Sequence, residues 1–308
     1  MKNIKLFDGH CDTALLITEN KGSLYENPYA TDISRGLKYD RYCQVYAIFA
    51  MDDFENKYLA GLKYMSGQFS RYRDSVSLCR SANDIDRCHS AGKAAALLSV
   101  EGAELLGCDE NRISEAKRAG ISSINITWNY ENALSGSNAQ GSDKGLTEKG
   151  KNFVKKCIEN KIAVDVSHIS DPGFCDVCRI MDQTGTAFYA SHSNSRAVCP
   201  HKRNLTDAQF KAMAALGGVA GINMYAEFIG GGRNIDSVMR HIDHFLELGG
   251  NRSVSIGADS DGCDELPAGV EGLGSMYKLY DEIVKRYGDE TADNIFYYNL
   301  YNFYKKVL

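Results

Sequence analysis

The sequence predicts a single-domain (β/α)8 barrel that spans residues 1–308. Short apolar, β-rich runs alternate along the chain with longer amphipathic segments, which is typical of βα units and a parallel sheet. Eight such runs are present, the number that closes a barrel. Only four prolines occur in the 308 residues, and no linker-like segment divides them. The chain is therefore expected to form one α/β domain.

The predicted strands and helices follow one another in the order that a barrel requires. The eight strands are predicted at residues 4–7, 44–50, 94–100, 122–127, 162–166, 186–190, 218–223 and 253–257. Helices are predicted at residues 56–79, 111–119, 147–159, 172–182, 206–215 and 235–248, and residues 276–308 are predicted to form two more. Thr147 and Thr206 precede acidic or amide side chains and are expected to cap the helices that follow them.

Composition favours a small-molecule substrate. The net charge of −5 gives no basic footprint for nucleic acid or for an anionic membrane surface. No export signal or membrane-spanning run is evident, so we expect a cytoplasmic protein whose ten cysteines are reduced thiols. Cys175 and Cys178 form a CxxC without a second metal-binding pair, and we interpret them as neighbours on a helix.

Most of the predicted strands end in a residue that can bind a metal or move a proton. The carboxyl ends of barrel strands converge on one face, which is where barrel enzymes have their active sites. We therefore expect the following residues to be neighbours in space: His10, Asp12, Glu101, His168, His192, Asn223, Tyr225 and Asp259.

Five of these residues, at four strand ends, are of the types found in a catalytic zinc site. His10 and Asp12 are two residues apart, so both side chains can face the same side of a strand. Alone, this pair is weak evidence, because a solvated His and Asp at a strand end is common. His168 and His192 strengthen it, since imidazole with carboxylate is the usual ligand set of catalytic zinc. Glu101 can bridge two ions, so we predict two zinc ions that activate a shared water.

Asp259 is the candidate for proton transfer. It follows a predicted strand in the segment SIGADSDG, and its alternation partners Gly257 and Ser255 are small, as expected near a crowded barrel axis. A carboxylate beside two cations stays ionised at neutral pH. It can accept the proton of the attacking water and pass it to the leaving amine.

These segments resemble the renal-type (membrane) dipeptidase family of the metal-dependent amidohydrolases. The matching stretches are FDGHCDT, SVEGAELLG, GLTEKGKNFVKKCIENKIAVDVSHIS, YASHSNSRAVCPHKRNLTD, GGVAGINMY, SIGADSDG and VEGLGSMYKL. The resemblance implies a barrel with two zinc ions held by the five ligands named above, and Asp259 as the catalytic aspartate. It also implies that Arg203 and Tyr225 contact the substrate carboxylate. The planar guanidinium group of an arginine can donate two parallel hydrogen bonds to a carboxylate. The resemblance also implies that this chain can form a homodimer, as family members often do.

At the end of the fourth predicted strand the sequence departs from the family. The animal enzymes have a histidine that contacts the reacting carbonyl, and Trp128 replaces it in this chain. We expect Trp128 to line the substrate pocket, and we include Asn223 among the candidate substrate contacts.

The leading hypothesis is hydrolysis of a dipeptide, with or without a D-residue at its C-terminal position. An N-acyl amino-acid amidohydrolase would use the same metals and the same Arg203. A phosphoesterase would require more basic groups than Lys202 and Arg203 provide. A non-catalytic peptide-binding protein would be expected to have lost a ligand or Asp259, and all six residues are present.

Overall fold

Short parallel strands form the centre of the protein. A computed structural model describes Met1 and residues 3–308. The strands are β1 (Lys5–Cys11), β2 (Arg41–Ile48), β3 (Val76–Leu78), β4 (Ala94–Glu101), β5 (Ile121–Asn125), β6 (Ala163–Asp165), β7 (Ala220–Ile222) and β8 (Val254–Ile256). Every residue of β4 is buried, as expected for a parallel strand covered on both faces.

Seven strands and one irregular segment close the predicted barrel. The hydrogen-bonded order is β6-β5-β4-β2-β1-β8-β7, and all of these pairs are parallel. Isolated bridges join Asp165 to Tyr189 and Ala190 to Ala220, so the segment at residues 189–190 lies between β6 and β7. The eight-membered ring confirms the predicted fold class.

Two details of the sequence prediction are wrong. Within the predicted strand 186–190, Tyr189 and Ala190 each form a single bridge, one to each neighbouring strand. Single bridges are too short to make this segment a strand. The predicted helix 56–79 ends at Arg71, and β3 follows it after a turn in which the amides of Ser75 and Val76 donate to the carbonyl of Tyr72. β3 pairs with the first half of β4, on the side where β5 pairs with the second half, so it lies outside the ring.

Helices surround the barrel. They are α1 (Thr13–Glu19), α2 (Ile33–Gly36), α3 (Phe54–Arg71), α4 (Ala82–Ser90), α5 (Ile113–Ala119), α6 (Glu148–Glu159), α7 (Asp171–Thr184), α8 (Asp207–Ala215), α9 (Ala226–Ile229), α10 (Ile235–Glu247), α11 (Tyr277–Tyr287), α12 (Asp289–Asp293) and α13 (Asn299–Val307). A π-helical turn, Asn294–Tyr298, joins α12 to α13. Among the helices of the described residues, none combines the length and apolar character needed to cross a membrane.

The two predicted helix caps are present. The Thr147 hydroxyl accepts a hydrogen bond from the amide of Gly150, which satisfies a free donor at the start of α6. Thr206 and Gln209 form a reciprocal capping box at the start of α8.

Aromatic side chains of the C-terminal segment fill the barrel below the strand ends. The ring of Tyr304 stacks on Phe7 of β1 with centroids 5.5 Å apart, and its hydroxyl lies 3.0 Å from that of Tyr189. Both tyrosines and Phe7 are buried. The barrel is therefore a packed core with its open face at the carboxyl ends of the strands.

Candidate metal centre

The predicted ligands meet at the carboxyl ends of the strands. Short connections position them: the amide of Asp12 donates to the carbonyl of Ser260 at 2.9 Å, and the amide of Asp259 donates to the carbonyl of His10 at 3.1 Å. These bonds join the ends of β1 and β8. All five predicted ligands are buried: His10, Asp12, Glu101, His168 and His192.

Glu101 lies between two groups of ligands. Its Oε2 atom is 3.5 Å from Nε2 of His10, and its Oε1 atom is 2.9 Å from Nε2 of His168 and 3.7 Å from Nε2 of His192. The ligand atoms of His10, Asp12 and Glu101 lie within 4.8 Å of one another, as do those of Glu101, His168 and His192. Each oxygen of one carboxylate therefore faces a different half of the centre.

The half formed by His10 and Asp12 contains polar atoms with no hydrogen-bond partner. Both ring nitrogens of His10 and the Oδ1 atom of Asp12 are buried and unpaired within the described part of the chain. Buried polar atoms without partners are costly, and a bound cation would satisfy Nε2 of His10 and the carboxylate. These residues fit a metal ion.

In the other half, two imidazole nitrogens face each other. Nε2 of His168 is 2.9 Å from Nε2 of His192. Nδ1 of His168 is 3.0 Å from Oδ1 of Asn129, and Nδ1 of His192 is 2.7 Å from Oγ of Ser191. Outer partners of this kind fix the orientation of metal-binding histidines. This half fits a metal ion as well.

Charge is distributed unequally over the centre. Burial alone lowers the pKa of His10, but the carboxylates of Glu101 and Asp12 outweigh it and raise this pKa well above its usual range. Burial raises the pKa of Asp12 to about 7, and the charge of Glu101 adds to the shift. Burial lowers the pKa of His168 to about 4, aided by the positive charge of Arg203. The acidic half thus favours a positive charge, and the imidazole half keeps its rings neutral.

Asp259 lies beside the ligands in a strained backbone conformation. Its φ angle is +57°, a left-handed value that is uncommon outside glycine. Its Oδ2 atom accepts a hydrogen bond of 2.8 Å from Nδ2 of Asn223, and its Oδ1 atom is 3.8 Å from Nε2 of His10. Burial raises the pKa of Asp259, and the charge of Glu101 adds to this effect. Backbone strain of this kind is often found at functional sites.

Arg203 faces the centre with part of its guanidinium group unpaired. The side chain is 3% exposed, and Nη2 donates to Nε2 of His168 at 3.0 Å. Nη1 is buried and has no partner among the described residues. The guanidinium carbon also lies 5.4 Å from the ring centroid of Phe228.

The centre opens into a cavity of about 210 Å³. Ligand cavities commonly measure roughly 300–1,000 Å³, so this one suits a small substrate. It is lined by Asp12, Leu15, Phe49, Glu101, Trp128, Asn129, His168, Arg203, Tyr225, Phe228, Asp259, Asp261 and Gly262. Trp128 and Tyr225 line the cavity, whereas Asn223 is fully buried and contacts Asp259 from behind.

Trp128 belongs to an aromatic wall. Its ring centroid is 4.7 Å from that of Phe49 and 5.5 Å from that of Tyr130. Phe49 follows β2 and Phe228 lies in α9. Neither was singled out in the sequence, since an isolated aromatic residue gives no signal of its own. Asn129 was also missed, although it directly follows Trp128.

The fold and the ligand set define a metal-binding (β/α)8 barrel, and comparison with known proteins agrees. The sequence profile of the membrane dipeptidase family (Peptidase family M19) matches residues 1–307. The chain belongs to this family, which confirms the resemblance found in the sequence.

Individual relatives give the same result. An uncharacterized protein of the Klebsiella pneumoniae pqqA 5' region is 34% identical over 230 residues, which cover 68% of this chain and 83% of the relative. An uncharacterized Acinetobacter calcoaceticus protein is 33% identical over 195 residues, which cover 59% of this chain and 61% of the relative. The match thus spans about three fifths of the Acinetobacter protein.

A solved structure shares the fold over its whole length. A metallo peptidase from Rhodobacter sphaeroides, liganded with a phosphinate mimic of the dipeptide L-Ala-D-Ala, has a TM-score of 0.90 and 24% sequence identity. The superposition covers 99% of this chain and all of the Rhodobacter chain.

Proposed function

We propose that this protein is a dipeptidase that requires two zinc ions, one in each half of the centre. The observation that carries the proposal is a single small cavity that joins the ligand cluster to a buried, partly unpaired guanidinium group. His10, Asp12 and Glu101 would hold one ion, and Glu101, His168 and His192 the other. When bound, the ions supply Lewis-acid polarisation of the scissile carbonyl and lower the pKa of a water molecule.

Arg203 is proposed to bind the free carboxylate of the substrate. Its Nη1 atom is buried and has no partner within the described part of the chain, and a buried guanidinium pairs strongly with a carboxylate. Tyr225 lines the same cavity and is proposed to assist. Because Arg203 captures the terminal carboxylate beside the ligands, the bond that reaches the centre is the one next to the last residue. The cavity of about 210 Å³ limits the length of the substrate on the other side of that bond, which favours dipeptides over longer peptides.

Asp259 is proposed to move the proton. Asn223 engages its Oδ2 atom, which leaves Oδ1 directed toward the ligands. Oδ1 accepts the proton of the attacking water and returns it to the nitrogen of the leaving amine. Asn223 thereby acts as the residue that orients Asp259.

A substrate panel on the zinc-loaded protein tests the proposal. L-Ala-L-Ala and L-Ala-D-Ala should be hydrolysed, and the D-form is included because the related Rhodobacter protein holds its mimic. N-acetyl-L-alanine tests the amidohydrolase alternative, and p-nitrophenyl phosphate tests the phosphoesterase. Faster cleavage of N-acetyl-L-alanine than of every dipeptide would replace the proposal by that alternative.

The variant Asp259→Asn separates proton transfer from metal binding. Its zinc content should equal that of the wild type, while the turnover of dipeptides should fall by roughly 10²–10⁴-fold, the usual contribution of general acid–base catalysis. Zinc content is measured by atomic absorption on the samples used for kinetics. A parallel loss of zinc and activity would make Asp259 a ligand instead.

We also propose a reducing, cytoplasmic setting, which is supported by ten free thiols. Cell fractionation with an antibody against the protein tests this.

A further inference from the structure

A continuous hydrogen-bond path leads away from His192, on the side opposite to the candidate metal. Nδ1 of His192 is 2.7 Å from Oγ of Ser191, which is 3.1 Å from Oγ of Ser167. The Ser167 hydroxyl in turn donates to Oδ1 of Asp165 at 2.7 Å. All four side chains are buried, and the path ends on a carboxylate.

The direction of the path follows from counting hydrogens. Each serine hydroxyl has one hydrogen to donate. Since Ser167 gives its hydrogen to the Asp165 carboxylate, its contact with Ser191 must be one in which Ser167 accepts. Ser191 then gives its hydrogen to Ser167 and must accept from Nδ1 of His192.

We propose that Asp165, acting through Ser167 and Ser191, is a positioning residue that holds His192 as its Nδ1–H tautomer. Nε2 of His192 is then left with a lone pair that faces Nε2 of His168 at 2.9 Å, an arrangement that a bound cation would stabilise. The inference rests on the proposed function, in which that nitrogen binds zinc. It adds a buried carboxylate to the site that contacts neither metal nor substrate.

The backbone around the path holds it in place. Oδ1 of Asp165 also accepts from the amides of Ser167 and Ser191, both at 3.0 Å, and the amide of His192 donates to Oγ of Ser167 at 3.1 Å. Gly221 and Gly257 flank this segment, and a Cβ atom on either would overlap the carbonyl oxygen of Ser191. The close approach of the Ser191 carbonyl to Gly221 in β7 and to Gly257 after β8 therefore requires glycine at both positions.

His168 has a different outer partner, which provides an internal comparison. Its Nδ1 atom contacts the neutral amide oxygen of Asn129, a half-buried loop residue. His192 is instead connected to a buried charge through two hydroxyl groups. Removing the hydroxyl of Ser191 should therefore change the tautomer of His192 and leave that of His168 unchanged.

Nitrogen NMR of metal-free, 15N-histidine-labelled protein tests the proposal directly. The ring of His192 should be protonated at Nδ1 in the wild type. In Ser191→Ala this single tautomer should give way to a mixture, and the affinity for one zinc equivalent should fall by about 10–100-fold, the usual effect of losing an outer partner. Ser191→Thr keeps a hydroxyl and should restore both properties.

Ser193→Ala is the matched control. Ser193 follows His192, and its hydroxyl is buried without a hydrogen-bond partner in the described part of the chain. This variant should keep the wild-type tautomer and zinc affinity. Equal effects of Ser191→Ala and Ser193→Ala would overturn the proposal, because both would then reflect packing.

The wild-type spectrum decides the direction of the path even if Ser191→Ala fails to fold. Protonation of His192 at Nε2 would show that the path runs the other way and would overturn the assignment. If the wild type binds two zinc ions and cleaves dipeptides while Ser191→Ala behaves like it, only the positioning role is wrong. If the wild type has the Nδ1–H tautomer but neither binds zinc nor cleaves dipeptides, the proposed function is wrong and the tautomer assignment stands.

Discussion

The two halves of the centre share Glu101 but differ in their charge. His10 lies among the carboxylates of Asp12, Glu101 and Asp259, at 3.5, 3.5 and 3.8 Å. In the other half, burial and the charge of Arg203 lower the pKa of His168 to about 4. One half therefore attracts a cation by its charge, and the other offers neutral nitrogen atoms whose orientation is fixed from outside.

This difference shows that separate sets of hydrogen bonds hold the two halves in place, although both halves use Glu101. The acidic half depends on connections between β1 and β8, whereas the imidazole half depends on Asn129, Ser191 and the carboxylate of Asp165. Substitutions can therefore be chosen that change both halves, one half, or neither.

The largest effect is expected from Glu101→Gln, which changes the shared residue. An amide offers one oxygen in place of two charged ones, so both zinc equivalents should bind more weakly and activity should be largely lost. Zinc content after dialysis against a weak chelator measures this. Glu104→Gln is the control, because Glu104 lies three residues after Glu101 in the sequence but does not line the cavity. Full zinc content in Glu101→Gln would refute the bridging role.

A smaller effect is expected from Arg203→Met, which changes the imidazole half alone. Charge-assisted hydrogen bonds contribute about 1.5–3 kcal/mol, so kcat/KM for a dipeptide should fall by roughly 10–100-fold. The same dipeptide with an amidated C-terminus should lose much less. Lys202→Met removes the neighbouring exposed cation and should leave both substrates unaffected. Equal losses on the free and the amidated dipeptide would contradict the carboxylate clamp.

The smallest effect is expected from Trp128→Phe, which changes neither half. Indole has one N–H donor and no acceptor, and Trp128 contacts Phe49 as part of a wall. Turnover should therefore change little, while the preference among substrate side chains should shift. Steady-state kinetics on a small dipeptide panel, with Tyr130→Phe as the exposed aromatic control, measures this. A uniform drop of about 10²–10³-fold would instead identify Trp128 as an oxyanion donor.

The sequence was sufficient to predict the barrel and to bring its five candidate ligands together, because strand ends in a barrel must converge. It was insufficient at residues 186–190, where two single bridges replace a strand, and at Val76–Leu78, where pairing with β4 interrupts an amphipathic pattern. Periodicity does not report such pairings, since they depend on the neighbouring strand.

The outer partners of the histidines show a second limit. Asp165 and Ser167 precede His168 in the sequence, yet the path from both leads to His192, 24 residues from His168. Sequence proximity would have assigned them to the wrong ligand. The bridge between Asp165 and Tyr189, which the sequence does not reveal, brings Ser191 next to Ser167.

The most direct test of the two-ion centre is a calorimetric titration of the metal-free protein with zinc. Dipeptide hydrolysis is measured at each zinc concentration of the titration. We predict two equivalents per chain, with full activity reached only when both have bound, because each half of the centre holds its own ion through Glu101. A single equivalent that gives full activity, or no binding at all, would contradict the two-ion centre on which the proposed function depends.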